Sequence, residues 1–244
     1  MRKPAHALLL AAPAKVETPE RKGFFGLIPP ARLHEAIPQT SADAPRAGFL
    51  LAALAKTLKA PGAPLLWVRE AEVGGEGGEL YAPGFAQLGL SLADLILVRA
   101  RKRADALWAA EQGLKREGAL TLLELGARGR DIDLTATRRL ALAAESNGAT
   151  ALMMRGDLAG ASAPSAAWTR WSIARAPARC AHANEIGPLS MTASLIRDRG
   201  GAHHARFFLE WSEDEHALRA EALGGDLAEA FAGGPARAPR LRRA

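Results

Sequence analysis

The 244-residue chain is 48% hydrophobic and carries a formal net charge of +6. This length and composition favour one large domain with a sizeable core, and no run approaches the roughly 20 apolar residues that a membrane span requires. The one cysteine, Cys180, excludes an intramolecular disulfide and fits a reducing cytosol, so we expect a cytoplasmic protein without a membrane segment.

The amino-terminal part contains a leader followed by the first strand. Residues 1–22 are polar and proline-bearing and are expected to form a mobile leader, in which the short apolar run lacks the cleavage site of a signal peptide. A turn after Gly23 leads into a strand whose Leu33 and Ile37 face inward. His34 and Glu35 lie on this strand, where we expect hydrogen bonds at a sheet edge instead of catalysis.

Helices and strands alternate through residues 48–117. The pattern predicts a helix over 48–59, a strand over 65–68, a short helix over 81–90, a strand over 95–100 and an amphipathic helix over 101–117. Trp108 lies on the stripe of the last helix. We expect it to anchor packing, because one isolated aromatic residue lacks the clustered rings of proteins that bind single strands.

Residues 118–156 predict a strand, a helix and a second strand. Apolar runs at 120–125 and 149–154 flank an amphipathic helix over 131–147, which places Leu134, Arg138, Leu142 and Glu145 on one line. Asn147-Gly148 is typical of a helix end. Buried strands around an amphipathic helix indicate a parallel sheet covered on its faces.

The carboxyl-terminal part predicts three more strands, at 166–174, 191–197 and 205–211, that form an antiparallel end of the sheet. Six arginines occur in this region, and they either rest on phosphate backbones or keep an edge of the sheet soluble: Arg170, Arg175, Arg179, Arg197, Arg199 and Arg206. We interpret His203-His204 as a turn and Cys180 as a bystander thiol, because neither has the partners of a metal site or a nucleophile.

Residues 212–244 divide into two segments. Residues 212–234 predict a helical segment split at Gly224-Gly225, since the acidic residues 213–215 suit a helix N-terminus. Residues 235–244 are expected to form a basic disordered tail that contacts DNA or an acidic partner through four arginines: Arg237, Arg240, Arg242 and Arg243.

Several of these stretches occur together, in order, in one protein family. The runs DIDLTATRRLALAAESNGATALMMR at 131–155, LYAPGFAQLGL at 80–90 and LILVRAR at 95–101 resemble ImuA, the RecA-like accessory protein of bacterial translesion synthesis cassettes. Shorter pieces extend the resemblance over roughly residues 26–211. It implies a RecA-like α/β core over 23–211, with a mostly parallel twisted sheet flanked by helices and antiparallel strands at its C-terminal end.

The segment that should bind phosphate in such a core lacks the required residues. RecA-type ATPases carry glycines, a lysine and a hydroxyl there, whereas residues 38–48 read PQTSADAPRAG. Ala47 and Gly48 fall where the lysine and hydroxyl belong. Arg46 is the nearest cation and is either an anion ligand at the helix N-terminus or a simple surface arginine.

Two further positions of a RecA-type site also differ. Glu70 or Glu72 is the candidate remnant of the glutamate that polarises the attacking water, but it has no substrate without the phosphate cradle. The Mg²⁺-linked aspartate falls near Leu125 and Gly126, and Glu124 is expected on the opposite face of its strand. We therefore expect no cofactor and no enzymatic activity.

The resemblance implies a non-catalytic role in SOS-induced, error-prone translesion DNA synthesis. The implied partners are an ImuB-like Y-family protein, an error-prone replicative-type DNA polymerase and RecA, with weak DNA binding as an additional property. Three alternatives stay open from the residues: a SulA-like cell-division inhibitor that binds FtsZ, a divergent ATPase that uses Arg46 and Glu70, and a DNA-binding module that uses the tail.

Overall fold

The structure is a computed structural model that describes residues 23–71, 73, 78–127, 132–156, 162–180, 186–202 and 204–224. The leader expected at 1–22 and the basic tail expected at 235–244 lie outside these ranges. Glu72 and His203 also lie outside them, so the interpretations of these residues stay predictions.

Nine strands and five α-helices run through the described residues. The strands are β1 (Leu33–Pro38), β2 (Leu65–Glu70), β3 (Leu95–Ala100), β4 (Leu120–Leu125), β5 (Thr150–Arg155), β6 (Thr169–Arg175), β7 (Ser190–Asp198), β8 (Arg206–Ser212) and β9 (Ala217–Ala222). The helices are α1 (Gly23–Gly26), α2 (Ala44–Leu58), α3 (Ala82–Gln87), α4 (Arg103–Leu114) and α5 (Leu134–Ser146), with short 3-10 turns at Ser41–Asp43 and Leu92–Asp94.

All nine strands form one mixed sheet in the order β3-β2-β4-β5-β1-β6-β7-β8-β9. Every neighbouring pair from β3 to β6 is parallel, and the pairs from β6 to β9 are antiparallel. Helices flank this sheet, which confirms the predicted α/β fold class with antiparallel strands at the C-terminal end. No helix in the described part of the chain is long and apolar enough to cross a membrane.

Helices cover both faces of the sheet and create two apolar cores. On one face, α1 and α2 pack with Phe85 of α3 against side chains that include Trp67 and Trp171. On the other face, α4 and α5 pack against the alternate residues of the same strands, among them Val68 and Met153. Successive side chains of a strand point to opposite faces, so neighbouring residues of β2 serve different cores.

The predicted strand-helix-strand unit is confirmed as β4, α5 and β5. The strands β4 and β5 pair in parallel, and α5 is capped by Asp133, whose Oδ1 accepts a hydrogen bond from the Ala136 amide at 2.7 Å. Gly148 takes φ +60° after the helix, the left-handed conformation that glycine adopts without strain. The buried face of α5 is formed by Thr137, Leu140, Ala141 and Ala144, whereas Leu134 and Leu142 are 48% and 52% exposed.

Two sequence predictions about the sheet are wrong. The strand that carries His34 and Glu35 is not an edge strand, because β1 lies between β5 and β6. The first part of the helix predicted over 212–234 is wrong, because Ala217–Ala222 forms β9, which pairs with β8, while residues 225–234 lie outside the described ranges. The physical reason is that β8 would otherwise expose a row of unpaired backbone groups, whereas β9 satisfies them and buries Leu218.

Candidate functional site

Hydrogen bonds to the side chain of Asp43 close the turn between β1 and α2. Thr40 donates to Asp43 Oδ2 from its amide at 3.0 Å and from its hydroxyl at 2.6 Å, and the Arg175 amide donates to Asp43 Oδ1 at 2.8 Å. Asp43 is buried. Backbone N–H groups of Thr40 in this turn and of Arg175 at the end of β6 therefore hold the carboxylate of Asp43 at the start of α2.

The three predicted vestigial positions on α2 have different environments. Ala47 is fully buried in the core, so its methyl group packs instead of facing a ligand. Arg46 is half-buried, and its Nε has no hydrogen-bond partner within the described residues. Gly48 faces the sheet, where an added Cβ would lie 2.9 Å from Oε1 of Glu124.

Glu124 forms a buried ion pair beneath the first turns of α2. Its Oε2 accepts a hydrogen bond from Nε of Arg69 at 2.5 Å, across the paired strands β2 and β4. Arg69 also donates from Nη2 to the Gly78 carbonyl at 3.0 Å, and its Nη1 lies 3.6 Å from the carboxylate of Glu79. The side chain of Glu124 lies on the same sheet face as α2, whereas Leu125, the next residue of β4, packs in the core on the opposite face.

Burial raises the pKa of Glu124, and the guanidinium of Arg69 partly opposes that rise. The indole of Trp67 also favours the charged form, although its buried Nε1 completes no hydrogen bond of ordinary geometry in the described part of the chain. Formation of the pair therefore costs the free energy of removing a carboxylate from water, and the hydrogen bond from Arg69 offsets part of that cost.

Glu70 and Gly126 lie together on the opposite face of the sheet from α2. Oε2 of Glu70 accepts from the Gly126 amide at 2.9 Å and pairs with Nη2 of Arg103 at 3.0 Å. The same Nη2 donates to the Gly126 carbonyl at 2.8 Å. The structure thus connects the ends of β2 and β4 to the start of α4 through Glu70, and it separates Glu70 from Arg46, Ala47 and Gly48.

A cavity of about 360 Å³ opens beside the Arg69–Glu124 pair, between α2, β2 and residues 78–88. Its walls include the aromatic pairs Trp67–Phe85 and Phe49–Trp211, each with ring centroids 5.4 Å apart. Sequence reasoning missed this cavity, since its residues come from six separate segments and no local pattern connects them. Apolar walls with one internally neutralised ion pair suit an uncharged or apolar group.

His34 and Glu35 are engaged in hydrogen bonds within the sheet. The Trp171 indole donates a hydrogen bond to the Thr169 hydroxyl at 2.9 Å. The same hydroxyl lies 2.8 Å from His34 Nδ1, and His34 Nε2 lies 2.8 Å from the Pro29 carbonyl. This chain is consistent when Nε2 carries the proton. Burial lowers the pKa of His34 to about 4, so the ring is neutral at pH 7.

The arginines of the carboxyl-terminal region have different environments. Arg170 is buried and pairs with Glu35 at 2.7 Å, and Arg179 pairs with Glu221 at 2.6 Å. Arg197 and Arg199 are exposed. Trp108 was expected to anchor packing, but it is 61% exposed on α4, so that prediction is wrong.

The remaining candidates are either accounted for or lie outside the described ranges. Cys180 is half-buried. Arg237, Arg240, Arg242 and Arg243 are not described, and their predicted contacts stay predictions. No group of three or more histidine, cysteine, aspartate or glutamate residues in the described part of the chain is placed to hold a metal ion.

The fold and this site define an α/β protein in which the helix after the first strand begins among two buried carboxylates, Asp43 and Glu124. No protein-family model matches the chain. It is 36% identical over 132 residues to Protein ImuA of Caulobacter vibrioides, in strain NA1000 / CB15N and in strain ATCC 19089 / CIP 103742 / CB 15. The match covers 50% of this chain and 53% of each relative, so the chain spans about half the length of the curated relatives it matches. This similarity agrees with the sequence resemblance to ImuA over about half of the chain.

Proposed function

We propose that this chain is a non-catalytic accessory protein of SOS-induced, error-prone translesion DNA synthesis. It acts by protein-protein contact with an ImuB-type Y-family-like protein, an error-prone replicative-type polymerase and RecA. The similarity to Protein ImuA supports the family role. The geometry at the start of α2 supports the non-catalytic part of the proposal.

The observation that carries the non-catalytic proposal is the position of the Glu124 carboxylate. Its Oε1 is so close to Gly48 that one added methyl group would touch it at 2.9 Å. A unit negative charge 4 Å from this carboxylate would be repelled by about 4 kcal/mol at an effective dielectric constant of 20. Arg69 offsets part of this repulsion, but its guanidinium is already shared among Glu124, Glu79 and the Gly78 carbonyl.

The neighbouring turn between β1 and α2 is also poorly suited to bind phosphate. The Thr40 and Arg175 amides are occupied by Asp43, a second carboxylate. Glu70 is held by Arg103 and the Gly126 amide, and a base fixed in this way is not free to orient water over α2. Both features favour a protein that uses its surface and not a bound nucleotide.

The proposed mechanism uses a RecA-like shape without nucleotide turnover. A heterologous interface between repeating subunits propagates only if each copy extends it. A subunit of similar shape that holds no nucleotide would dock at the end of a RecA filament, or on the ImuB-type partner, and stop extension there.

The test combines nucleotide calorimetry with partner capture. We expect no heat of ATP binding in the presence of Mg²⁺, retention of the ImuB-type protein and RecA at physiological salt, and shorter RecA filaments when the chain is added. Tight ATP binding that Arg46→Ala abolishes would instead establish a divergent ATPase. Absence of any retained partner would contradict the contact mechanism, and inhibition of FtsZ assembly would favour the SulA-like alternative.

A further inference from the structure

An open groove runs along α5 on the sheet face opposite α2. It has a volume of about 470 Å³ and lies between the helix, residues 164–166 and the end of β7. The residues that give it its character are two leucines, one proline and three arginines: Leu134, Leu142, Pro164, Arg138, Arg197 and Arg199. We name this feature the α5 groove.

Apolar and cationic groups alternate on the helix wall of the α5 groove. Leu134, Arg138 and Leu142 are spaced by four residues, so they stand one above another on the same helix face. The two leucines are about half exposed, although neighbouring positions of α5 supply the buried face. Eight residues of helix place the leucines about 12 Å apart along its axis.

The opposite wall carries two arginines that the backbone holds in place. Arg197 donates from Nη1 to the Ser165 carbonyl at 3.1 Å, and Arg199 donates from Nη1 to the Ala166 carbonyl at 3.3 Å. Neither these guanidinium groups nor Arg138 has a carboxylate within salt-bridge distance among the described residues. Glu145 is the one glutamate among the described residues that line the groove, and its Oε1 lies 3.3 Å from Nη1 of Arg32.

We propose that the α5 groove binds an acidic amphipathic helix of a partner protein. Apolar residues two turns apart on that helix contact Leu134 and Leu142, and carboxylates on its flanks pair with Arg138, Arg197 and Arg199. Guanidinium groups bind carboxylates in a planar, two-bond geometry, which matches this arrangement. Half-exposed leucines between the arginines favour a protein helix over a nucleic acid, because phosphate gains nothing from contact with them. This inference rests on the groove alone and does not require the proposed role in translesion synthesis.

The test uses the full chain and a labelled synthetic helix with two leucines seven residues apart and flanking glutamates. Fluorescence polarisation should show saturable binding that weakens with salt, and no comparable binding of a scrambled isomer with the same composition. Leu142→Ala should weaken binding about fivefold to tenfold, since a contact of roughly half a buried leucine is lost. Arg138→Ala should weaken it about twofold to fivefold.

Matched variants keep the test informative. Arg101→Ala removes an exposed arginine outside the groove and should leave peptide binding unchanged. Leu142→Gln keeps the size of the side chain, so it serves as a second variant if Leu142→Ala lowers the melting temperature. The proposal is overturned if the acidic helix fails to bind, or if the scrambled isomer binds equally well. It is also overturned if Arg138→Ala weakens DNA binding while both Leu142 variants bind the peptide normally, because the groove would then be a nucleic-acid surface.

Discussion

Replacement of Arg69 by methionine should reveal the free-energy cost of burying the Glu124 carboxylate beneath α2. The side chains of Arg69 and Glu124 are only 7% and 4% exposed. Methionine keeps an apolar stem of similar length but removes the guanidinium. The Glu124 carboxylate then stays buried without its partner, in contact with the first turns of the helix.

The expected loss in the free energy of unfolding at pH 7 is about 3 to 5 kcal/mol, as for other buried pairs that lose one member. The loss should depend on pH. Burial already raises the pKa of Glu124 above its ordinary value of 4.5, and removal of Arg69 takes away the charge that opposes this rise. The folded protein then binds a proton more tightly than the unfolded chain does. Stability is consequently greatest below pH 4.5 and falls by on the order of 1 kcal/mol per pH unit as the pH rises toward the folded pKa.

Urea unfolding followed by tryptophan fluorescence at pH 5, 6 and 7 measures this effect. The double variant Arg69→Met/Glu124→Leu should regain most of the lost stability, because it removes both charges together. Arg99→Met is the control, since Arg99 contacts the same Glu79 at 2.9 Å but is largely exposed, and it should cost less than about 1 kcal/mol. A loss below 1 kcal/mol for Arg69→Met, or a loss that does not shrink at pH 5, would refute the reasoning.

Three further predictions concern other parts of the structure. Burial lowers the pKa of His34 from 6.5 to about 4. In urea titrations, the free energy of unfolding of the wild-type chain should therefore fall by about 3 kcal/mol relative to that of His34→Gln as the pH falls through this window. A difference that does not change with pH would contradict a neutral buried ring. Gly156→Ala should cost more than 1 kcal/mol in thermal unfolding, because its Cβ would lie 2.8 Å from backbone atoms, whereas Gly224→Ala meets no atom within 4 Å and serves as the control. Trp108 is exposed and Trp171 is buried, so Trp108→Ala should change the free energy of unfolding by less than about 0.5 kcal/mol and Trp171→Ala should lower it by about 3 to 5 kcal/mol. Similar shifts of the denaturant midpoint for the two variants would show that Trp108 is packed.

Local sequence determined the elements that depend on neighbouring residues alone. The apolar runs 120–125 and 149–154 and the amphipathic segment between them correctly predicted β4, α5 and β5, because burial on both faces of a parallel sheet leaves a recognisable pattern. The sequence of residues 38–48 alone also shows that this segment lacks a phosphate-binding motif.

Only the tertiary structure decided which side chains meet. Arg69 and Glu124 are 55 positions apart, and their contact follows from the register of β2 against β4, which no local pattern states. The same holds for β9, where pairing with β8 outweighs the acidic residues that predicted a helix start. Leu134 and Leu142 have helical spacing, but the position of the sheet leaves them in the α5 groove. Periodicity identifies a face of a helix, whereas the packing of distant strands determines whether that face is buried or left open to a partner.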